Sequence, residues 1–217
     1  MKPRNIIVIV GESGSGKTTL ADVLDCTVRI RIVHDFDKRY EYSFKKVVTT
    51  TTRPKRDDEI NSEDYFFVSE DYFKDHLDDF VEYSEYNSWL YGVKLYDILK
   101  EFYKPKFILG NDKIIDTIIT PVIIMTPKGL RTLKRVLKKK HGDLYTVTSF
   151  YLKVDRKSRL KKLIDTRDDI DESIRRNISD VGMFDGIEDE VDYVLDNEEY
   201  KKPVYKLCDE LMNHVTD

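Results

Sequence analysis

Ile6-Ile7-Val8-Ile9-Val10 runs directly into Gly11-Glu12-Ser13-Gly14-Ser15-Gly16-Lys17-Thr18-Thr19-Leu20. No other stretch of the chain restricts its fold as much. The apolar run has the pattern of a buried parallel strand, and the loop fits G-x-x-x-x-G-K-[ST] at every defined position. The alternative is an ordinary glycine turn between strand and helix, but the context the motif demands is present on both sides. Glycines let backbone N–H groups converge on an anion. Lys17 can reach β- and γ-phosphates, the Thr18 hydroxyl can bind Mg²⁺, and a helix beginning near Lys17 adds its positive end. Gly11 to Thr19 therefore predict a site for a nucleoside triphosphate or a similar polyphosphate.

A length of 217 residues suits one domain, or one with an inserted lobe. The net charge of −4 carries no basic bias, so nucleic acid is not the expected partner and any anion site must be locally basic. No apolar run approaches membrane-spanning length, so no membrane partner is expected, and the N-terminus reads as a strand rather than a signal peptide. Cys26 and Cys208 lie far apart and form no CxxC, which suits a reducing compartment; the chain reads as cytoplasmic, a monomer or homodimer.

Strands and helices alternate along most of the chain. Strands are expected at Ile6 to Val10, Val28 to Val33, Val47 to Arg53, Tyr65 to Val68, Phe80 to Tyr86, Val122 to Met125, Thr146 to Val154 and Val191 to Leu195. Helices are expected at Lys17 to Asp25, after Ser69 with Tyr72 and Phe73 on one face, at Lys94 to Tyr103, from Pro127 to about Lys140, at Arg156 to Asp165, at Asp171 to Met183, and in a closing segment with Tyr200, Val204, Leu207, Cys208 and Leu211 on one face. Tyr40 to Phe44 is ambiguous. Between Lys104 and Thr120 the pattern gives no single parse; a strand at Phe107 to Leu109 and a helix at Asp112 to Ile118 fit it. The whole is an α/β fold with a mostly parallel core sheet. Closely spaced strands from Val47 to about Gly92 break the alternation as an inserted lobe would.

That segment carries a second constellation. Arg53 and Arg56, followed by Tyr65, can clamp a phosphate through guanidinium forks and a phenol. Alone, the arginines can equally pair with Asp57, Asp58 and Glu59 on the surface. Their order is more specific. Thr51-Thr52-Arg53-x-x-Arg56-x-x-Glu59-x-x-x-x-Asp64-Tyr65-x-Phe67-Val68-Ser69 resembles the segment after the phosphate loop in guanylate kinases. Phe80-Val81-Glu82-Tyr83, Trp89-Leu90-Tyr91-Gly92 and Asp192-Tyr193-Val194-Leu195-Asp196-Asn197 resemble that family's acidic strand, aromatic-Tyr-Gly turn and last strand. The likeness spans nearly the whole chain and is weakest from Val93 to Pro121.

The resemblance implies a nucleoside monophosphate kinase fold: a core of residues 1–46 and 93–217, an inserted monophosphate-binding lobe at about 47–92, and an arginine-bearing lid at about 156–176. It implies transfer of the γ-phosphoryl of Mg²⁺-bound ATP to GMP or dGMP. Arg53, Arg56, Tyr65 and Tyr91 would hold the acceptor phosphate. Thr49 and Glu82 would read guanine, with Thr126 in the same pocket, and Asn197 would lie at the ATP site. Two departures stand out. The family's D-x-D-x-x-G pattern is here Ile124-Met125-Thr126-Pro127-Lys128-Gly129, without either carboxylate. The family places a lid arginine three residues after an isoleucine or valine, whereas Ile174 is followed by Arg175, Arg176 and Asn177. Arg159, Arg167, Arg175 and Arg176 all remain candidates for the transferring phosphate. Two other functions fit the same scaffold: a kinase for another nucleotide or a sugar phosphate, and a non-catalytic protein-binding module.

Overall fold

The structure, a computed structural model, describes residues 3–33, 38–86, 88–103, 116–166 and 170–216, with the side chains of 28–41, 86, 116, 117, 166, 170, 172, 173, 176 and 216 left out. Its centre is β1 (Arg4–Val10), in which Ile6 to Val10 have no solvent exposure. A strand alternates its side chains, so burial of every residue requires cover on both faces. Ile6, Val8 and Val10 pack against Leu130, Leu133 and Leu137 of α4 (Pro127–His141) and Ile98 of α3 (Leu95–Lys100). Ile7 and Ile9 pack against Leu20, Ala21 and Leu24 of α1 (Lys17–Asp25) and Leu207 and Leu211 of α7 (Val204–Thr216).

Beside β1 lie β8 (Asp116–Ile124) and β9 (Tyr145–Lys153), both parallel to it. β10 (Tyr193–Asp196) extends the sheet past β9, and β3 (Lys38–Lys46) extends it past β8; both are also parallel. β2 (Val28–Val33) closes one edge antiparallel to β3. A separate sheet has the order β5-β4-β7-β6, from β4 (Thr49–Thr51), β5 (Tyr65–Phe67), β6 (Phe80–Tyr86) and β7 (Trp89–Lys94). β4 and β5 run parallel, while β7 is antiparallel to both β4 and β6. This is the predicted α/β class, a parallel core of five strands plus a separate mixed sheet.

Local chemistry sets several boundaries. Ser69 accepts a hydrogen bond from the Tyr72 amide at 3.1 Å and starts α2 (Glu70–Asp75). Thr126 caps α4 and Pro127 occupies its first turn, where a missing N–H costs nothing. The lysines of its last turn face the negative end of the helix dipole.

Some elements differ from the expectation. The ambiguous Tyr40 to Phe44 lies within β3, because a central position between β2 and β8 pairs both its edges. Trp89 to Gly92 is strand, not turn; its backbone pairs with β6 on one side and β4 on the other. Of α2, Phe73 is buried but Tyr72 is 42% exposed and stacks on His76. The last helix of the charged region, α6 (Ile170–Ser179), stops short of Met183 as turns through Gly182 take over. Residues 116–118 belong to β8 rather than a helix; the rest of that reading, over 104–115, lies outside the described residues.

Candidate active site

The phosphate loop leaves the C-terminal end of β1 and enters α1 through Gly16, which has φ 99°. Gly14, at φ 83°, could not carry a side chain: a Cβ there would stand 2.9 Å from the Leu163 Cγ and 3.2 Å from the Arg159 carbonyl. Those contacts come from α5 (Arg156–Thr166), which lies directly against the loop. Lys17 Nζ donates to the Glu12 carbonyl at 2.8 Å, folding its amine back over the loop. The Thr18 hydroxyl is on an exposed residue at the start of α1. Mg²⁺ takes few protein ligands beside phosphate oxygens and water, so one such hydroxyl fits a nucleotide-bound ion.

The loop is held from behind by residues outside the motif. Glu12 accepts from the Tyr151 phenol at 3.0 Å and from Arg159 Nη2 at 3.3 Å. Arg159, 6% exposed, also donates to the Val154 carbonyl at 3.0 Å and the Ser13 carbonyl at 3.4 Å. Burial, then the nearby Glu12 carboxylate, pushes the Tyr151 phenol up, so it stays a proton donor. The Tyr200 hydroxyl donates to the Gly14 carbonyl. The Ser13 amide donates to the Asp180 carboxylate at 2.6 Å. The Ser15 hydroxyl, in a residue 1% exposed, has no hydrogen-bond partner among the described residues.

A cleft of about 140 Å³ opens beside the loop between Ser15, Gly16, Thr19, Lys162, Asn197 and Tyr200. Lys162 Nζ stands 4.4 Å over the Tyr200 ring. Asn197 shapes this wall: its side-chain oxygen accepts from the Lys202 amide at 2.7 Å and fixes the turn into α7. Asp155 ties that turn to α5, accepting from the Ser158 and Glu199 amides at 2.9 Å each. These amide bonds hold its carboxyl down at about 2. A depressed folded-state pKa stabilises the fold above the ordinary carboxylate range, and that contribution fades as pH falls towards the folded value. Asp155→Asn should therefore melt below wild type at pH 6, with the deficit shrinking by pH 3. A deficit independent of pH in thermal melts would contradict this.

The second sheet gathers the other predicted residues. Thr49 and Tyr65 are register partners on β4 and β5, and Tyr91 lies opposite Thr51 on β7. Tyr65 and Tyr91 meet edge to face at 6.0 Å. Arg53 stands 5.6 Å from the Tyr65 ring centre and pairs with Glu59, which raises its pKa further. Glu59 also accepts from the Arg56 amide at 2.8 Å, while the Arg56 residue is exposed. The expected surface pairing with Glu59 is thus made by Arg53, on a face it shares with the two tyrosines.

Glu82 and Thr126 meet between the sheets. The Thr126 hydroxyl donates to Glu82 Oε1, and the Thr126 amide lies 3.3 and 3.2 Å from the two carboxylate oxygens. The same hydroxyl accepts from the Gly129 amide at 3.1 Å. Glu82 thus sits on the positive end of α4, and a Cβ on Gly129 would fall 2.0 Å from its Oε2. Burial nevertheless outweighs these bonds and raises the Glu82 carboxyl above its ordinary range.

Of the lid candidates, Arg159 is tied to the loop, through Ser13 and Glu12. Arg175 is exposed on α6, the Arg176 side chain lies outside the described residues, and Arg167 lies outside them altogether. Asn177, the residue three after Ile174, accepts from Arg156 Nε at 3.1 Å and Nη2 at 2.9 Å.

A sequence profile of the guanylate kinase family matches residues 3–214. The chain belongs to the guanylate kinase family. A guanylate kinase of Sulfurimonas denitrificans is 31% identical over 148 residues, 64% of this chain and 66% of its own length. One of Lactobacillus johnsonii is 30% identical over 161 residues, 70% and 73% of the two lengths. The matched stretches thus span about two thirds of these relatives. In fold, the chain resembles the crystal structure of guanylate kinase from Anaplasma phagocytophilum, with a TM-score of 0.55 and 13% identity over all of this chain and 86% of that one. Against the family pattern, Ile124 is a packing residue beside the α1 cluster, and Thr126 gives a hydroxyl where the pattern has a carboxylate. Tyr151, Arg156 and Asp180 received no role from the sequence, and Tyr200, expected on one face of the closing helix, lies instead in the turn before α7, where its hydroxyl reaches the loop. Each acts across a long separation in the chain, and Tyr200 does so from a left-handed backbone that no neighbouring glycine announces.

Proposed function

We propose that this guanylate kinase family member transfers the γ-phosphoryl group of ATP to GMP or dGMP in the cytoplasm. The observation that carries the proposal is Glu82, a carboxylate withdrawn from water with no cation hydrogen-bonded to it among the described residues. Such a group favours a partner with two adjacent N–H donors. Guanine has them in N1–H and its amino group, whereas adenine presents an unprotonated N1.

The loop supports the donor half. Lys17 and the amides from Ser13 to Thr18 would hold the triphosphate, and Asn197 would flank the nucleotide. Mg²⁺ on Thr18 would neutralise charge between the β- and γ-phosphates. Residues 47–92 would form the acceptor lobe, with Arg53, Arg56, Tyr65 and Tyr91 aiming the acceptor phosphate. Its oxygen is already nucleophilic, so no general base is required and positioning supplies most of the catalysis. The segment 156–176 would act as the lid. Arg159 would steady the loop through Glu12, and Arg175, Arg176 or Arg167 would approach the transferring group.

A panel of nucleoside monophosphates with ATP and Mg²⁺, scored for ADP formation, tests the assignment: GMP or dGMP should lead. Thr126 favours one second reading, a related phosphate acceptor on the same scaffold, and another acceptor leading the panel would select it. ATP binding without turnover of any acceptor would select the protein-binding module.

Arg53→Ala tests the division of labour. It should reduce kcat/KM for the acceptor about tenfold, the scale of one charge-assisted hydrogen bond, and leave ATP binding without acceptor near wild type. Loss of ATP affinity with an unchanged acceptor KM would place Arg53 on the wrong substrate.

A further inference from the structure

One contact at the phosphate loop belongs to neither substrate. Asp180, just beyond the end of α6, accepts the Ser13 N–H at 2.6 Å across 167 positions of sequence. A backbone N–H of such a loop is arranged to receive an anionic oxygen. Here a carboxylate oxygen of the chain itself receives it. The neighbouring Ser15 hydroxyl is buried and has no hydrogen-bond partner among the described residues. The loop is therefore folded, one amide is satisfied by an internal anion, and one buried donor beside it is unsatisfied.

We propose that Asp180 is an internal stand-in for a nucleotide phosphate, tethering α6 to the loop and competing with the incoming polyphosphate. A phosphate oxygen and the Asp180 oxygen cannot share the Ser13 N–H without placing two anions side by side. Nucleotide binding must therefore push Asp180 off the loop. The displaced residue leads directly back into α6, so loading the loop releases that helix from its tethered position. The tether also holds a negative charge at the loop, which selects for ligands able to make several phosphate contacts over those offering one.

The proposal rests on the loop binding polyphosphate and is independent of the acceptor. It is tested by calorimetric titration of ADP, with and without Mg²⁺, into wild type, Asp180→Ala and Asp180→Asn, and by hydrogen exchange over 170–179 in the absence of nucleotide. Removing the competitor should tighten ADP binding by roughly three- to tenfold in the alanine variant, the range of one modest to charge-assisted hydrogen bond. The asparagine variant, which keeps an oxygen but loses the charge, should fall between. Exchange over α6 should accelerate in the alanine variant. Unchanged affinity in both variants would overturn the proposal. So would weaker binding that depends on Mg²⁺, since Asp180 would then serve the metal rather than oppose the nucleotide. Failure of wild type to bind ADP at all would instead overturn the phosphate-loop reading itself.

Discussion

Lys17→Ala should lower turnover by at least ~3 kcal/mol in transition-state stabilisation, more than a hundredfold, while the chain keeps its fold. Lys17 contributes a charge, not packing. Its amine donates to the Glu12 carbonyl at 2.8 Å, and Glu12 keeps its side-chain bonds to Tyr151 and Arg159 without it. The loop should therefore hold its shape and lose the cation that neutralises charge developing between donor and acceptor. Circular dichroism and the melting temperature should stay near wild type as kcat collapses. Activity within tenfold of wild type would remove Lys17 from the chemistry and the loop from its assigned role.

Glu82→Gln should cost GMP about 2 kcal/mol in kcat/KM and narrow its lead over AMP. The amide offers a donor where guanine also presents one. The oxygen of that new amide would still accept the Thr126 hydroxyl, so the contact with α4 survives. Burial raises the pKa of the Glu82 carboxyl, meaning the folded protein holds that charge at a cost near neutral pH. The neutral amide relieves this cost, so the variant should melt at or above wild type at pH 7. A variant that keeps the wild-type ranking of bases, or a wild type that prefers another acceptor, would end the guanine assignment and leave the phosphate chemistry standing.

Much of the framework was legible because it is local. The loop motif, the Ser69 cap, Pro127 in the first turn of α4 and the apolar strand Ile6 to Val10 are each set by residues within a few positions of one another. Helix and strand periods conveyed α1, β2 and β6 to the residue. What the sequence did not convey depends on distant partners. β3 becomes a strand because β2 and β8 pair with it, and Trp89 to Gly92 extends because β4 and β6 lie on either side. At the site, the phosphate-loop residues and the Arg-Tyr cluster could be named in advance. The Glu12–Arg159–Tyr151 brace could not: Glu12 and Arg159 were each candidates for other roles, but Glu12 lies 139 and 147 positions from Tyr151 and Arg159, and no local pattern joins the three.

The Thr126 hydroxyl has two employers before any ligand arrives: it donates to Glu82 and accepts from the first turn of α4. A base that captures the carboxylate would free a hydroxyl proton at its own edge, so entry would be a swap of partners rather than the making of bonds from nothing. The pocket before entry is then no neutral baseline. Every candidate base would be weighed against an internal bond already in place, and one that satisfied the carboxylate but offered no acceptor to the released hydroxyl would be turned away.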